Sequence, residues 1–443
     1  MTASLASFEN NNMMKNKTIA SITTPIGEGG IGVIQVSGPD SLRIVNTVFK
    51  GKKLKNLRNA ESKRLYYGDI CSNGSPVDEV IVNVLREQDS FTGEDLVEVN
   101  CHGGIRAVKK TLECVVAAGA KEVHWKELAN RSLTNNKIDL IQGEALLEIP
   151  KAKTRLGAKV LLDQYNGALS SIVNKIIGEI EKCDNTGELL NHINNQLRET
   201  VRTAVFGCAI TSPQKLIITG KPNAGKSTLI NELLKEDRSI THKEPGTTRD
   251  AVDELISFDG MPFTIIDTAG IRDTDHEVEM LGVLESKKQL SEADKIIIVF
   301  DNSKPAERED NELIEFIEKL DLHKADNSHK VSIFPVINKA DLPCKLNLST
   351  LIGDTFEPIC QISALNGDGI STLEESLISE FKEFIEYTPG KPIIFTKRQQ
   401  EYISRALLFS EKCIQTAEGI KNDSNLLNDI KQNLLDCIVD SQL

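Results

Sequence analysis

Gly220-Lys221-Pro222-Asn223-Ala224-Gly225-Lys226-Ser227 has the spacing Gly-x-x-x-x-Gly-Lys-Ser. These residue types suit a bound phosphate chain. Glycines let backbone N–H groups turn inward around phosphate oxygens, and a following helix aims its positive end at the same anion. Lys226 would reach the β- and γ-phosphates, Ser227 would ligate Mg2+, and Thr228 beside it would contact the nucleotide. With average composition, such a match arises by chance in about 2% of chains of this length. The context is more demanding still: an apolar β run, Lys215–Thr219, precedes the loop, and a helical pattern runs through Thr228–Leu234.

Further elements follow in an order that nucleotide chemistry explains. Phe263–Ile266 reads as a strand ending in Asp267-Thr268-Ala269-Gly270, with Asp267 near the Mg2+ shell and the Gly270 amide near the γ-phosphate. Between the two motifs, Pro245-Gly246 leads into Thr247-Thr248-Arg249-Asp250; one threonine should close on Mg2+ and the γ-phosphate, and Thr248 is chosen. Val331–Ile337 delivers Asn338-Lys339-Ala340-Asp341. Asp341 can accept from the guanine ring N–H and exocyclic amine while Lys339 covers the base. Adenine would leave that carboxylate unpaired, and sites built on hydrogen bonding discriminate by about 10⁴ or more. Ser363-Ala364-Leu365 completes the series as a loop bracing the base. Ile271 follows Gly270 where Ras-like enzymes place a water-orienting glutamine, so a cation, another acidic residue or dimerisation must complete hydrolysis.

The elements that would position these residues divide the chain. At 443 residues it exceeds one hydrophobic core. Residues 1–16 read as a disordered extension; 17–135 mix β-branched runs and short helices as an α/β domain; 136–213 turn helical; 214–387 alternate strand and helix as a parallel α/β sheet; and 388–443 are helical again. The fold class expected is α/β and α: an N-terminal α/β domain, a discontinuous helical domain, and a Ras-like P-loop domain inserted in it. The net charge of −13 argues against a surface that wraps nucleic acid throughout. No stretch of 18 apolar residues supports a membrane span, and Met1–Asn16 lacks the pattern of a secretory leader. The nine cysteines contain no Cys-x-x-Cys pair, which fits a reducing, cytoplasmic setting, and Cys101-His102 reads as structural.

The sequence resembles the MnmE (TrmE) family of tRNA-modification GTPases from Lys17 onward. Asn223 in the phosphate loop, Gly246–Asp250, Asp267–Arg272, Thr24–Gly32, Phe91–Asp95 with His102-Gly103-Gly104, and Asn136–Ala145 carry the resemblance. It implies that K+ supports hydrolysis with Asn223 and Thr247 as its ligands, and that Glu279 is the catalytic glutamate orienting water. It also implies an N-terminal domain that dimerises and binds a formyl-tetrahydrofolate through Glu98 and Lys137. The implied partners are an MnmG-type flavoprotein and tRNA, modified at C5 of the wobble uridine.

Four departures stand out, the largest at the end of the chain. Gln35 replaces an arginine of the family pattern, His124-Trp125-Lys126-Glu127-Leu128 replaces Arg-Pro-Gly-Glu-Phe, and the loop through Thr241–Glu244 is one residue longer. Cys437-Ile438-Val439-Asp440 looks like the family's terminal Cys-Ile-Gly-Lys, but Asn425–Asp436 match a helix well upstream of that tail, so Cys437 is read as an ordinary helical cysteine and the chain as ending short of the tail. Two alternatives therefore stay open: a degenerate GTP-binding relative without modification activity, and a ribosome-assembly GTPase.

Overall fold

The computed structural model describes residues 17–182, 187–235, 254–266, 293–319, 331–347, 360–417 and 424–439. The described residues form two compact units, one within 1–150, 164–195 and 402–443, the other within 151–163 and 196–401.

In the first unit, β1 (Ile19–Ile22), β2 (Ile31–Ser37), β3 (Phe49–Gly51), β4 (Arg64–Ser72), β5 (Ser75–Leu85), β6 (Leu96–His102) and β7 (Lys121–Glu122) make a seven-stranded sheet in the order β3-β4-β5-β6-β2-β1-β7. All pairs are antiparallel except β1 with β7. The period-2 pattern decides which face is buried. Val80, Val82 and Val84, Val97 and Val99, and Ile34 and Val36 pack with Ile44, Val45, Leu112 and Val115 of α1 (Ser41–Val48) and α2 (Ile105–Ala117). The other face carries Gln35, Glu98 and Asn83 side by side across three strands, together with Leu65 and Tyr67, 69% and 51% exposed.

The Phe91–Asp95 run acts as a clasp. Ser37 Oγ lies 2.8 Å from Thr92 Oγ1 and donates to Glu94 at 3.0 Å, and Asn135 donates to the Thr92 carbonyl at 2.7 Å. Glu94 also accepts from the buried Arg131 guanidinium at 2.6 Å, whose other arm reaches the Lys17 carbonyl at 2.8 Å. Asp95 holds Arg86 at 3.1 Å and the Glu87 amide at 3.0 Å. Beyond it come α3 (Lys126–Thr134), α4 (Leu140–Glu148), α5 (Arg155–Tyr165), α6 (Ala168–Glu181), α7 (Gly187–Arg202) and α8 (Ala204–Thr211). Helix α4 starts at a reciprocal cap, Asp139 accepting from the Gln142 amide at 2.9 Å while Gln142 accepts from the Asp139 amide at 3.0 Å. Such a cap stabilises a helix start by about 1 kcal/mol.

The second unit holds β8 (Gln214–Gly220), β9 (Glu254–Phe258), β10 (Met261–Ile266), β11 (Lys295–Asp301), β12 (Ser332–Asn338) and β13 (Cys360–Gln361), in the order β13-β12-β11-β8-β10-β9. Only the β9–β10 pair is antiparallel. Every residue of β11 is buried, as expected of a central parallel strand covered on both faces. Helices α9 (Lys226–Leu233), α10 (Arg308–Lys319) and α11 (Ile370–Leu377) follow β8, β11 and β13. From Tyr402 on the chain is back in the first unit, with most of α12 (Lys397–Ala417) and all of α13 (Ser424–Ile438). Leu169, Val173, Ile176, Ile177 and Ile180 make one buried stripe of α6, which packs on α13, where Ile430, Leu434 and Cys437 are buried.

Candidate guanine-nucleotide site

In an open parallel sheet the loops leaving the C-terminal strand ends are where ligands bind. Here β8, β11, β12 and β13 all release such loops. The chain leaves β8 at Gly220, whose φ of +145° only glycine takes easily, and an added Cβ would lie 2.4 Å from the Val299 carbonyl oxygen. Asn223 is also left-handed, at φ +64°, a conformation asparagine tolerates better than most residues. Lys226 Nζ donates to the carbonyls of Gly220 and Lys221, both at 2.8 Å, which folds the ammonium back over the loop. Its burial lowers its pKa. Ser227 and Thr228 are exposed in the first turn of α9.

A second set of contacts ties this loop to the loops from β12 and β13. Asn338 donates to the Ala224 carbonyl at 2.9 Å and accepts from the Ala364 amide at 3.0 Å. Gly225 leaves the space: at φ +97°, an added Cβ would sit 2.2 Å from Asn338 Nδ2. Lys339 donates to the Asn223 carbonyl at 2.8 Å and to Asp301 Oδ2 at 2.7 Å. Asp341 accepts from the buried Ser363 hydroxyl at 2.6 Å, which fixes one oxygen of an otherwise exposed carboxylate. Leu365, two residues after Ser363, is 77% exposed. An exposed, oriented carboxylate next to a lysine stem and an apolar side chain can read the N–H edge of a purine.

Asn223, Ala224, Gly225, Lys226, Ser227, Thr228, Asn338, Lys339, Asp341, Ser363, Ala364 and Leu365 are thus brought to one edge of the sheet. Thr247, Thr248, Asp267, Thr268, Ala269, Gly270 and Glu279 lie outside the described residues. Glu98 and Lys137 belong to the first unit and share no hydrogen bond or ion pair among the described residues. Glu98 instead accepts from Gln35 at 2.8 Å and Asn83 at 2.9 Å, while the exposed Lys137 runs past Gly93. The Cys101-His102 pair is split by the pleat: Cys101 is buried and donates to the Gly32 carbonyl, whereas exposed His102 is held by Asp78 at 2.6 Å.

Two residues escaped the sequence reading. Asp301 closes the apolar β11 and belongs to no sequence motif, although a carboxylate at the C-terminal end of a central parallel strand is itself a signal. Burial works against its charge, but hydrogen bonds from Lys339 and Ser303 prevail and lower its pKa. Lys221 was an unassigned loop position, yet its ammonium is clasped by Glu307 at 2.7 Å and Asp310 at 2.6 Å. Burial opposes that charge too, and the two carboxylates raise its pKa nonetheless.

Phosphate loop, base-reading loops and strand order together define a P-loop GTPase. Residues 215–339 match the family described as 50S ribosome-binding GTPase, and residues 18–137 match GTP-binding protein TrmE N-terminus. The tRNA modification GTPase MnmE of Thermoanaerobacter pseudethanolicus is 35% identical over 426 residues, covering 91% of this chain and 90% of the relative. That of Bacillus velezensis is 34% identical over 388 residues, covering 82% of each. The chain belongs to the MnmE family of tRNA modification GTPases. It is a GTP hydrolase, and GTPases of this kind work with Mg2+. No helix among the described residues is long and apolar enough to cross a membrane.

Proposed function

We propose that this GTPase takes part in tRNA modification, hydrolysing GTP with Mg2+ and K+ as a cytoplasmic homodimer. With an MnmG-type flavoprotein it would serve the modification of C5 of the wobble uridine, position 34, in certain tRNAs. The observation that carries the GTP half of this reading is the Asn338 tie, which joins phosphate loop to base-reading loop in one hydrogen-bonded unit. The tRNA half rests on relatives matched along nine-tenths of their own length.

The residues fit the two cations. Ser227 offers an exposed neutral oxygen in the first turn of α9, and Mg2+ in such sites keeps several waters and takes few protein ligands. Asn223 is exposed, its carbonyl already taken by Lys339, so its side-chain amide oxygen is the donor left for K+. Thr248 would join Ser227 at Mg2+, and Thr247 would join Asn223 at K+. When bound, the cations supply positive charge where negative charge grows on the transferring phosphoryl group. Lys226 adds its ammonium at the loop mouth, the loop amides cradle the phosphates, and Glu279 orients the attacking water. Asp341 and Lys339 would hold the guanine, Asp267 would serve the Mg2+ shell, and Thr268, Ala269 and Gly270 would contact the nucleotide, the Gly270 amide at the γ-phosphate.

For a formyl-tetrahydrofolate the fit is poorer. Glu98 is an acceptor for N–H groups and Lys137 a cation for a carboxylate, but both Glu98 oxygens already accept from neutral amides, and Gln35 supplies no charge for an anionic ligand.

The test pairs GTP turnover with tRNA analysis. Turnover should be at least about tenfold faster in K+ than in Na+, and Glu279→Ala should lower it about a hundredfold or more. Equal rates in both salts with a harmless Glu279→Ala would remove the cation mechanism. A deletion strain complemented with this chain should regain the modified wobble uridine by nucleoside mass analysis. Failure there, with GTP turnover intact, would favour the degenerate-relative alternative that the Gln35–Glu98 pairing motivates.

A further inference from the structure

We infer that Asp301 is a positioning residue for guanine-nucleotide binding: it aims Lys339 so that one ammonium serves the base site and the phosphate loop together. The inference rests on the reading of Asp341 and Lys339 as the guanine-holding pair and extends it to a group that touches no nucleotide. Lysine has a flexible stem with three rotatable donors, so its ammonium does not hold one direction by itself. Here two of the donors are committed. One goes to Asp301 Oδ2 at 2.7 Å, the other to the Asn223 carbonyl at 2.8 Å.

Asp301 is equipped to impose that direction. Its side chain is 5% exposed, and its second oxygen, Oδ1, is pinned by the Ser303 amide at 2.9 Å and the Ser303 hydroxyl at 2.6 Å. The carboxylate therefore cannot turn to follow the lysine; the lysine must come to it. Its backbone is as firmly placed, since Asp301 stands opposite Asn338 in the β11–β12 register and the Asn302 amide donates to the Asn338 carbonyl at 2.9 Å. Lys339 itself sits at φ +64°, a left-handed turn that directs its side chain back across the sheet edge toward the phosphate loop. The order of support is Ser303, Asp301, Lys339, Asn223. Through it, the placement of Asn223 depends on a charge one strand away.

The chemistry expected is a loss of nucleotide affinity without loss of the hydrolytic step. Asp301→Asn keeps the size and the oxygen that accepts from Ser303 but removes the charge facing Lys339. Binding of a fluorescent GDP analogue should weaken about tenfold, KM for GTP should rise by a similar factor, and kcat at saturating GTP should stay within about twofold. Ser303→Ala, which removes one of the two bonds pinning Oδ1, should act in the same direction by about two- to threefold, and it provides the reading if Asp301→Asn does not fold. Because both residues act through one ammonium, Asp301→Asn combined with Lys339→Met should bind no worse than Lys339→Met alone. Additive losses in that pair, or unchanged affinity in Asp301→Asn and Ser303→Ala, would overturn the role. Asp341→Asn serves as the control for the underlying reading, because it should trade guanine for xanthine nucleotides. If it leaves GDP binding untouched, the guanine site itself is misplaced and Asp301 falls with it. If it shifts the base preference while the Asp301 and Ser303 variants stay silent, only the positioning role is lost.

Discussion

The nucleotide site of the second unit and the Gln35–Glu98–Asn83 row of the first solve opposite problems. At the nucleotide site, charges meet charges: Lys339 with Asp301, and Lys221 with Glu307 and Asp310, on loops, at a strand end and, for Asp310, in the first turn of α10. On the sheet face of the first unit, one carboxylate is held by two neutral amides from neighbouring strands. Loops can be wired by ion pairs because each can be pulled into place. A strand position is already fixed by register, so neutral donors suffice to orient Glu98. The first arrangement anchors loop lysines on fixed carboxylates; the second offers an acceptor with no positively charged side chain in the row.

Breaking each arrangement should have effects of different size. Gly225→Ala introduces a Cβ where Asn338 Nδ2 now sits, at a φ of +97° that side chains resist. Strain and the lost tie together should lower GTP turnover by about a hundredfold or more, measured as phosphate release; wild-type turnover in this variant would contradict the geometry. Glu98→Gln should be far milder. The Gln35 amide can flip to accept from the new side chain, so the loss is about 1 kcal/mol or less, read by thermal unfolding, and GTP turnover should not change. A larger loss would mean that the neutral row is not interchangeable with a fully amide one. The smallest effect should be the acid response. The folded-state pKa of Asp301 is lowered, so its contribution is complete above the ordinary carboxylate value of about 3.9 and fades as pH falls through its depressed value. GDP affinity should therefore hold from neutral pH to about pH 5. A loss tied to Asp301, seen as a difference from Asp301→Asn, should appear only below pH 4 or so.

The contrast also explains what the sequence made legible. The phosphate loop, the Asn338–Asp341 tetrad and the Ser363–Leu365 loop were readable because each is contiguous, so spacing alone encodes the chemistry. The Asp301–Lys339 and Lys221–Asp310 pairs are 38 and 89 residues apart and appear only once β11 is known to lie between β8 and β12. The same holds for Gln35, Asn83 and Glu98, which are neighbours only through sheet order. Strand β4 escaped for another reason. Its outward Leu65 and Tyr67 and inward Tyr66 and Ile70 are all apolar, and Gly68 interrupts the buried side, so no alternation marks it. In Phe91–Asp95, the resemblance was plain, but the clasp role of Thr92 and Glu94 needed Ser37 and Arg131 in place.

The vacancy at Gly225 has a consequence for how this protein can change. One hydrogen atom's worth of room lets Asn338 reach the phosphate loop, so the reader of the base and the holder of the phosphates share a single backbone position. If Asp341 reads the base as proposed, a change there retunes base preference and leaves that joint in place. The reverse does not hold: any side chain at 225 removes both capacities in one step, leaving no intermediate that binds phosphate but has lost its choice of base.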